Sequence, residues 1–244
     1  MLRSLYDGAS TLHVLQRQYE TTANNLANIN TSGFRRAHLS VIERNDPTAP
    51  NNRYGNGPQI ESYNTDFSQG RLIETGRPLD VAISGDAFFT LEDNGGQQFY
   101  SKSGRFYRSL NAENIADGTL VTDTGLIVLG TTGALQVPEN IGVNEISIGS
   151  DGTISAAGNE IGQIQLSAFE DNRTLTPVSQ SVFAESAETV QKPPEAQLQQ
   201  FYFEGSNVNV TSELIGLIVG GRLYEAVQRA TKTISESLEQ SIRA

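Results

Sequence analysis

The sequence has no cysteine among its 244 residues. Disulfides, zinc–thiolate sites and thiol catalysis are therefore excluded. Histidine is scarce too, with only His13 and His38. His13 lies in a helical stretch without a second ligand at four-residue spacing, so it reads as a surface or interface side chain. No apolar run approaches the roughly 20 residues of a membrane-spanning helix. The opening MLRSLYDGASTLHVLQRQYE lacks the apolar core and cleavage site of a secretory signal. G-x-S-x-G elbows, P-loops and dinucleotide fingerprints are missing. The stretch SIGSDGTISAAG has one acidic residue, Asp151, too few for a calcium loop, and reads as a turn. Carboxylate pairs such as Glu92-Asp93 and Glu170-Asp171 read as solvated turns. These absences point away from an enzyme, a metal centre and a cofactor.

Positive charge is also in short supply. The net charge is −11, and it is unevenly placed. Residues 1–40 set Arg3, Arg17, Arg35 and Arg36 against Asp7 and Glu20, and the last forty residues balance. The acidity sits in the middle. An acidic body argues against a nucleic-acid partner. Near-neutral ends can pack against copies of themselves without much repulsion.

What is present falls into three textures. Leu2, Leu5, Ala9, Leu12, Gln16, Tyr19, Ala23 and Leu26 recur at alternating steps of three and four, a heptad seam. So narrow a stripe favours a partner helix over a broad globular core. The helix should stop near Asn30, where Thr31-Ser32-Gly33 turns the chain and Gly33 can take positive φ. The C-terminal forty residues repeat the pattern through Leu214, Leu217, Ile218, Tyr224, Val227, Ile234, Leu238 and Ile242, with Thr211 or Ser212 as candidate caps. Gly216, Gly220 and Gly221 weaken that helix by about 1 kcal/mol each relative to alanine. They also let another backbone come close. Between the ends, DPTAPNNRYGNGPQ (46–59) reads as an extended loop. From PLDVAISGDAFFTL (78–91) onward, short β-type runs alternate with turn signals: QQFYSKSG, GTLVTDTGLIVLG, ALQVP, EISIGSDGTISAAG and IGQIQLSAF. The predicted class is mainly β with terminal α-helices. Residues 1–35 and 205–244 would form an inner helical coiled-coil module, 36–77 an extended arm, and 78–204 an inserted all-β body.

One stretch resists a purely local account. TTANNLANINTSGFRR (21–36) gathers Asn24, Asn25, Asn28 and Asn30 at a helix end, although asparagine is a poor helix former. ANNLANINTSGFRR closely resembles the N-terminal signature of the bacterial flagellar axial proteins, the rod and hook family. RPLDVAISGDAFFTL, with FYSKSGRFYRS and GTLVTDTGLIVLG, resembles the family's central region. FEGSNVNVTSELIGLIVGGRLYEA resembles its C-terminal signature. The matches keep the family's order and cover about half the chain. Length and EGSNVN are most like the short proximal-rod members, with the distal-rod members next.

The resemblance implies a structural subunit of the basal-body rod that polymerises through its terminal helices into a torque-transmitting shaft. It also implies flagellar type III export without a cleaved signal. Self, other rod and hook axial proteins and the export apparatus would be the partners. The implied assembly positions are Leu5, Leu12, Tyr19, Asn24, Asn25, Leu26, Asn28, Gly33 and Phe34 at one end. At the other they are Asn207, Asn209, Leu214, Leu217, Arg222, Tyr224 and Glu225. Gly221 stands where many relatives have glutamine, so no amide contact is available there. Asn24 and Asn28 are four apart and share a helix face. Between packed helices such amides fix register, because an unpaired buried amide costs about 1–3 kcal/mol. The competing reading is a secreted β-rich binding or carbohydrate-active protein with coiled-coil ends; as a glycosidase it would need two spaced carboxylates in a cleft.

Overall fold

The computed structural model describes residues 2–43, 57–110 and 115–243. The chain is mostly β, bracketed by helix α1 (Leu2–Ala27) and helix α2 (Val210–Arg243). It divides into two compact units. The first comprises α1, residues 36–66 and the chain from Val208 onward. The second comprises residues 28–35 and 67–207.

In the first unit, α1 and α2 pack antiparallel. A Cβ on Gly8 would lie 2.6 Å from Thr231 Oγ1, while one on Gly216 would lie 3.5 Å from the Thr22 methyl. At the ends of the two helices, then, early residues of one face late residues of the other. A Cβ on Gly8 would force the Thr231 hydroxyl to shift, so glycine eases that approach. Gly220 and Gly221 play no such part, since a Cβ on either meets nothing within 4 Å. The α2 N-cap is Asn209, whose Oδ1 accepts the Ser212 amide at 3.1 Å. The cap therefore lies two or three residues before Thr211 and Ser212. The reason is geometric: a cap must precede the first helical residue, here Val210, so that its side chain reaches the third amide. Strands β1 (Ala37–Glu43) and β2 (Pro58–Thr65) form an antiparallel pair with a register shift between Ser40 and Val41. They occupy most of the described part of the segment read from sequence as an arm. Residues 46–56 of the loop between them lie outside the described residues.

In the second unit, the strands are short. They run β3 (Leu72–Glu74), β4 (Val81–Gly85), β5 (Phe88–Glu92), β6 (Gln98–Ser101), β7 (Tyr107–Arg108), β8 (Leu120–Val121), β9 (Ile127–Gly130) and β10 (Gly133–Ala134). They continue through β11 (Ile146–Ile148), β12 (Thr153–Ala156), β13 (Asn159–Gln163), β14 (Leu166–Phe169), β15 (Thr176–Pro177), β16 (Val182–Ala184), β17 (Gln191–Lys192), β18 (Ala196–Gln200) and β19 (Tyr202–Glu204). The largest sheet follows the order β15-β16-β6-β5-β9-β8-β7, with β10, β14 and β17 attached to it. β11-β12-β13 form a separate meander, and β18 and β19 pair with β4 and β3. Turn glycines separate the strands, as the repeated Asp-Gly, Gly-Gly and Thr-Gly signals require. ALQVP is strand only at its first residue. Leu135 and Val137 are nonetheless buried and bonded by backbone to Leu120 and Gly118.

The core of this unit gathers Val81, Ile83, Phe89, Leu91, Phe106, Leu120, Val128, Ile154 and Ala168, all fully buried. A second cluster packs Phe88, Tyr100, Phe169 and Phe183, with Tyr100 and Phe169 edge to face and their ring centroids 4.9 Å apart. Each buried aromatic or branched side chain contributes about 1.5–3 kcal/mol. This body thus has ample apolar material for a core of its own.

Candidate assembly elements

The asparagine-rich signature ends α1 and divides into two sets of contacts. The first is built around Asn25 and Glu213 in the helical unit. Asn25 is buried. Its Oδ1 accepts the Ala37 amide at 2.9 Å, and its Nδ2 donates to the Ala37 carbonyl at 2.8 Å. One side-chain amide thus satisfies both backbone groups of one residue, as a strand neighbour would. The same Nδ2 reaches Glu213 Oε2 at 3.3 Å, and the Glu213 carboxylate pairs with Arg36 Nε at 2.5 Å. Glu213 is in the first turn of α2, where a carboxylate also favours the positive end of the helix dipole. The end of α1, the start of β1 and the start of α2 are thereby pinned together.

The second set centres on Glu204, fully buried in the β unit. Its carboxylate Oε1 accepts from Arg35 Nη2 at 2.7 Å and from the Gly70 amide at 2.6 Å. Its backbone carbonyl accepts from the Gly33 amide at 2.8 Å and from Ser32 Oγ at 3.4 Å. Gly33 has φ +67°, and a Cβ there would sit 2.4 Å from the Ser103 amide nitrogen, so only glycine fits. Asn207 donates to the Phe34 carbonyl through its amide, and its side chain donates to the Ser68 carbonyl at 3.0 Å. Phe34 itself is buried. Lys102, also buried, donates to the Gly85 carbonyl at 2.9 Å and lies 4.9 Å from the Phe88 ring centroid. Burial, reinforced by the neighbouring Arg35 charge, lowers its pKa to about 8.

Sequence-predicted positions therefore separate by burial. Asn25, Asn28, Gly33 and Phe34 are inside the subunit, and Asn28 Oδ1 accepts from Thr31 Oγ1 at 3.2 Å in the turn that ends α1. Asn24 is exposed although it lies four residues from Asn28. Asn207 is half-buried, and Asn209 caps α2. Leu5, Leu12 and Leu26 of the heptad seam are half-buried, whereas Ala9, Gln16, Tyr19 and Ala23 face solvent. Leu217 is half-buried, on the stripe with Gly220, Val227, Thr231, Ile234 and Leu238. Leu214, Arg222, Tyr224 and Glu225 are exposed, and Glu225 pairs loosely with Arg229.

The first half of α2 leaves an unusual surface. Leu214, Ile215, Ile218, Val219 and Leu223 are each 44–58% exposed. They wrap the side of the helix away from Glu213 and Leu217. Sequence reasoning assigned Leu214 but not Ile215, Val219 or Leu223, because the stripe at three- and four-residue steps looked like the whole apolar face. The signal was available: LIGLIVGGRL is apolar nearly all round, and such a helix has partners on more than one side. Glu204 and Glu213 were missed as well. Each is a lone acid in an apolar setting, a pattern that calls for a buried cation such as Arg35 or Arg36.

Two terminal helices closing one unit, with a β body inserted between them and a bare apolar helix face, define a subunit built to associate. Comparison with known proteins agrees. Residues 5–35 match the family of flagella basal body rod proteins, residues 82–156 the D1 domain of the flagellar hook protein FlgE/F/G family, and residues 199–244 the C-terminal region of the flagellar basal body rod FlgEFG proteins. The basal-body rod protein FlgF of Caulobacter vibrioides is 32% identical, with 97% of this chain and 95% of the relative aligned. FlgG of Agrobacterium fabrum is also 32% identical, over 96% of each chain. FlgF of Rhizobium meliloti is 31% identical over 99% of this chain and 97% of its own. The chain belongs to the FlgF/FlgG family of flagellar basal-body rod proteins.

Proposed function

We infer that the protein is a structural subunit of the flagellar basal-body rod and polymerises through its terminal helices into the torque-transmitting shaft. The observation that carries this reading is the exposed stripe Leu214, Ile215, Ile218, Val219 and Leu223 on α2. Five large aliphatic side chains standing in water on a helix already packed along its other side need a further partner. Tyr19 and Ala23 of the α1 seam are exposed as well. Relatives that align over nearly the whole of both chains are named as rod proteins, which supports the same role here. Its partners are other copies and other axial proteins. Its place is the periplasmic portion of the rod, reached through the flagellar export apparatus without a cleaved signal.

Within the rod, the proximal position is the better supported. Alignment with the FlgF relative of C. vibrioides spans 242 residues, close to this chain's 244, whereas the FlgG alignment spans 263 and so requires insertions. Electron microscopy of basal bodies from a strain lacking this gene tests both levels. Rods arrested at their base are expected. A full rod carrying hook and filament in the deletion strain overturns the rod assignment, and arrest only at the distal end overturns the proximal one.

A further inference from the structure

The β5–β6 hairpin carries Asp93-Asn94-Gly95-Gly96 at its tip. Glu92 faces Gln98 in the last paired rung. Asn94 and Gly95 stand at the centre of the turn, which the Gly96 amide closes by donating to the Asp93 carbonyl at 3.1 Å. Gly96 takes φ +82° and returns the chain toward β6. Asn94 is exposed, and its side-chain amide has no hydrogen-bond partner among the described residues. Gly95 has no Cβ to obstruct the approach to its nitrogen.

Asparagine before glycine is chemically labile in water. The Gly95 nitrogen, once its proton is lost to hydroxide, attacks the Asn94 side-chain carbon Cγ. The new N–Cγ bond closes a five-membered succinimide. The bond from Cγ to the side-chain nitrogen breaks, and that nitrogen takes up a proton and leaves as ammonia. Water then opens the ring at one of its two carbonyls and leaves isoaspartate or aspartate. One water is consumed and one ammonia released, and no oxidant, metal or cofactor enters. The step needs a free Gly95 amide and a backbone able to swing that nitrogen toward the side chain.

The folded hairpin withholds both. The Gly95 amide donates to Asp93 Oδ1 at 2.8 Å, and the same oxygen accepts the Gln97 amide at 2.9 Å. A carboxylate at that distance also opposes negative charge on the Gly95 nitrogen. The swing would break the bond that closes the turn. We propose that Asn94 is a modification site, converted by water to isoaspartate and aspartate, and that the Asp93 carboxylate guards it while the hairpin is folded. The site reacts in the unfolded chain or when the hairpin opens. Its products do not suit the turn: both place a second negative charge beside Asp93, and isoaspartate lengthens the backbone. Conversion therefore loosens the hairpin whose β5 supplies Phe89 and Leu91 to the core. The inference concerns the β unit alone and stands apart from the rod reading.

The test follows Asn94 by peptide mass spectrometry, with isoaspartate assayed separately, in the purified full-length chain held in mildly alkaline buffer with and without urea. Asn56-Gly57, the other Asn-Gly pair in the sequence, reports the rate of an unfolded pair in the same urea digest. Folded wild type is expected to convert Asn94 at least about tenfold more slowly than the chain in urea, the factor that a hydrogen bond to a charged group supplies. Asp93→Ala should recover most of that factor in the folded chain, as monitored by circular dichroism, and match wild type in urea. Asp93→Asn keeps an acceptor oxygen without the charge and should fall between the two. Equal wild-type rates with and without urea, a folded Asp93→Ala chain as slow as wild type, a difference between them that persists in urea, or an Asn94 that stays intact in urea while Asn56 reacts would each overturn the proposal. Should Asp93→Ala not fold, the wild-type contrast and Asp93→Asn decide: an Asp93→Asn chain as slow as wild type contradicts the guarding role of the carboxylate.

Discussion

Lys102 and Glu204 show how much of the signature's chemistry lies inside the subunit. A lysine whose folded pKa is lowered to about 8 loses its proton in the native state while the unfolded chain still holds it, up to about pH 10.5. Between those values the unfolded state binds more protons, so native stability rises with pH. Above about pH 10 the raised pKa of Tyr100, due to its burial and the nearby Glu185, works in the opposite direction. Urea titrations at pH 8 and pH 10 are therefore expected to show a gain of roughly 2–3 kcal/mol for the β unit, at about 1.4 kcal/mol per pH unit. Lys102→Met should flatten that gain; an unchanged pH dependence in the variant contradicts the assignment. Glu204→Gln keeps the shape but removes the charge facing the fully buried Arg35. A loss of about 3–5 kcal/mol is expected, and Arg35→Met added to it should recover a good part, since both charges then leave the interior. Additive losses in the double variant would show that the pair is not coupled. Asn25 teaches the same point. It was legible as part of the asparagine-rich signature, but which backbone it holds was not, because Ala37 is twelve residues away and only the fold brings it opposite.

At the scale of elements, α1 and α2 each bury one face and leave another in water. A helix half covered gains about half of the 1.5–3 kcal/mol available per large apolar side chain, while ordering each residue costs about 1–2 kcal/mol. Gly216, Gly220 and Gly221 weaken α2 further without being required by any contact in the subunit. Limited proteolysis of the purified monomer is therefore expected to cut in α1 and α2 first and to leave a resistant fragment within residues 28–207. Termini that survive as long as the body, in a protein still monomeric, would contradict the view that assembly completes the helices. The existence of both helices was readable from their three-and-four spacing, and the β body from its turn glycines. Less readable was the β1–β2 pair, because its strands flank a Pro- and Asn-rich loop whose composition dominated that segment. The side of α2 that packs was also hidden: when Leu214, Ile215, Leu217, Ile218 and Val219 are all apolar, spacing alone cannot say which side has a partner inside the subunit.

For the whole molecule, the central claim is that an exposed helix face, and not the internal signature contacts, joins the subunit to the rod. The two kinds of residue should then fail differently. Damage at Glu204 removes folded protein. Damage on the α2 stripe leaves the fold and removes assembly. Ile218 is 58% exposed, so Ile218→Asp meets water in the free subunit but places an unpaired charge among apolar partners once packed. The most direct measurement follows the Ile218→Asp chain in a strain lacking the native gene, comparing its amount in the culture medium with its amount in isolated basal bodies. Export near the wild-type level, near-absence from basal bodies and loss of swimming are the predicted results. Wild-type incorporation and normal motility would contradict assembly through this face.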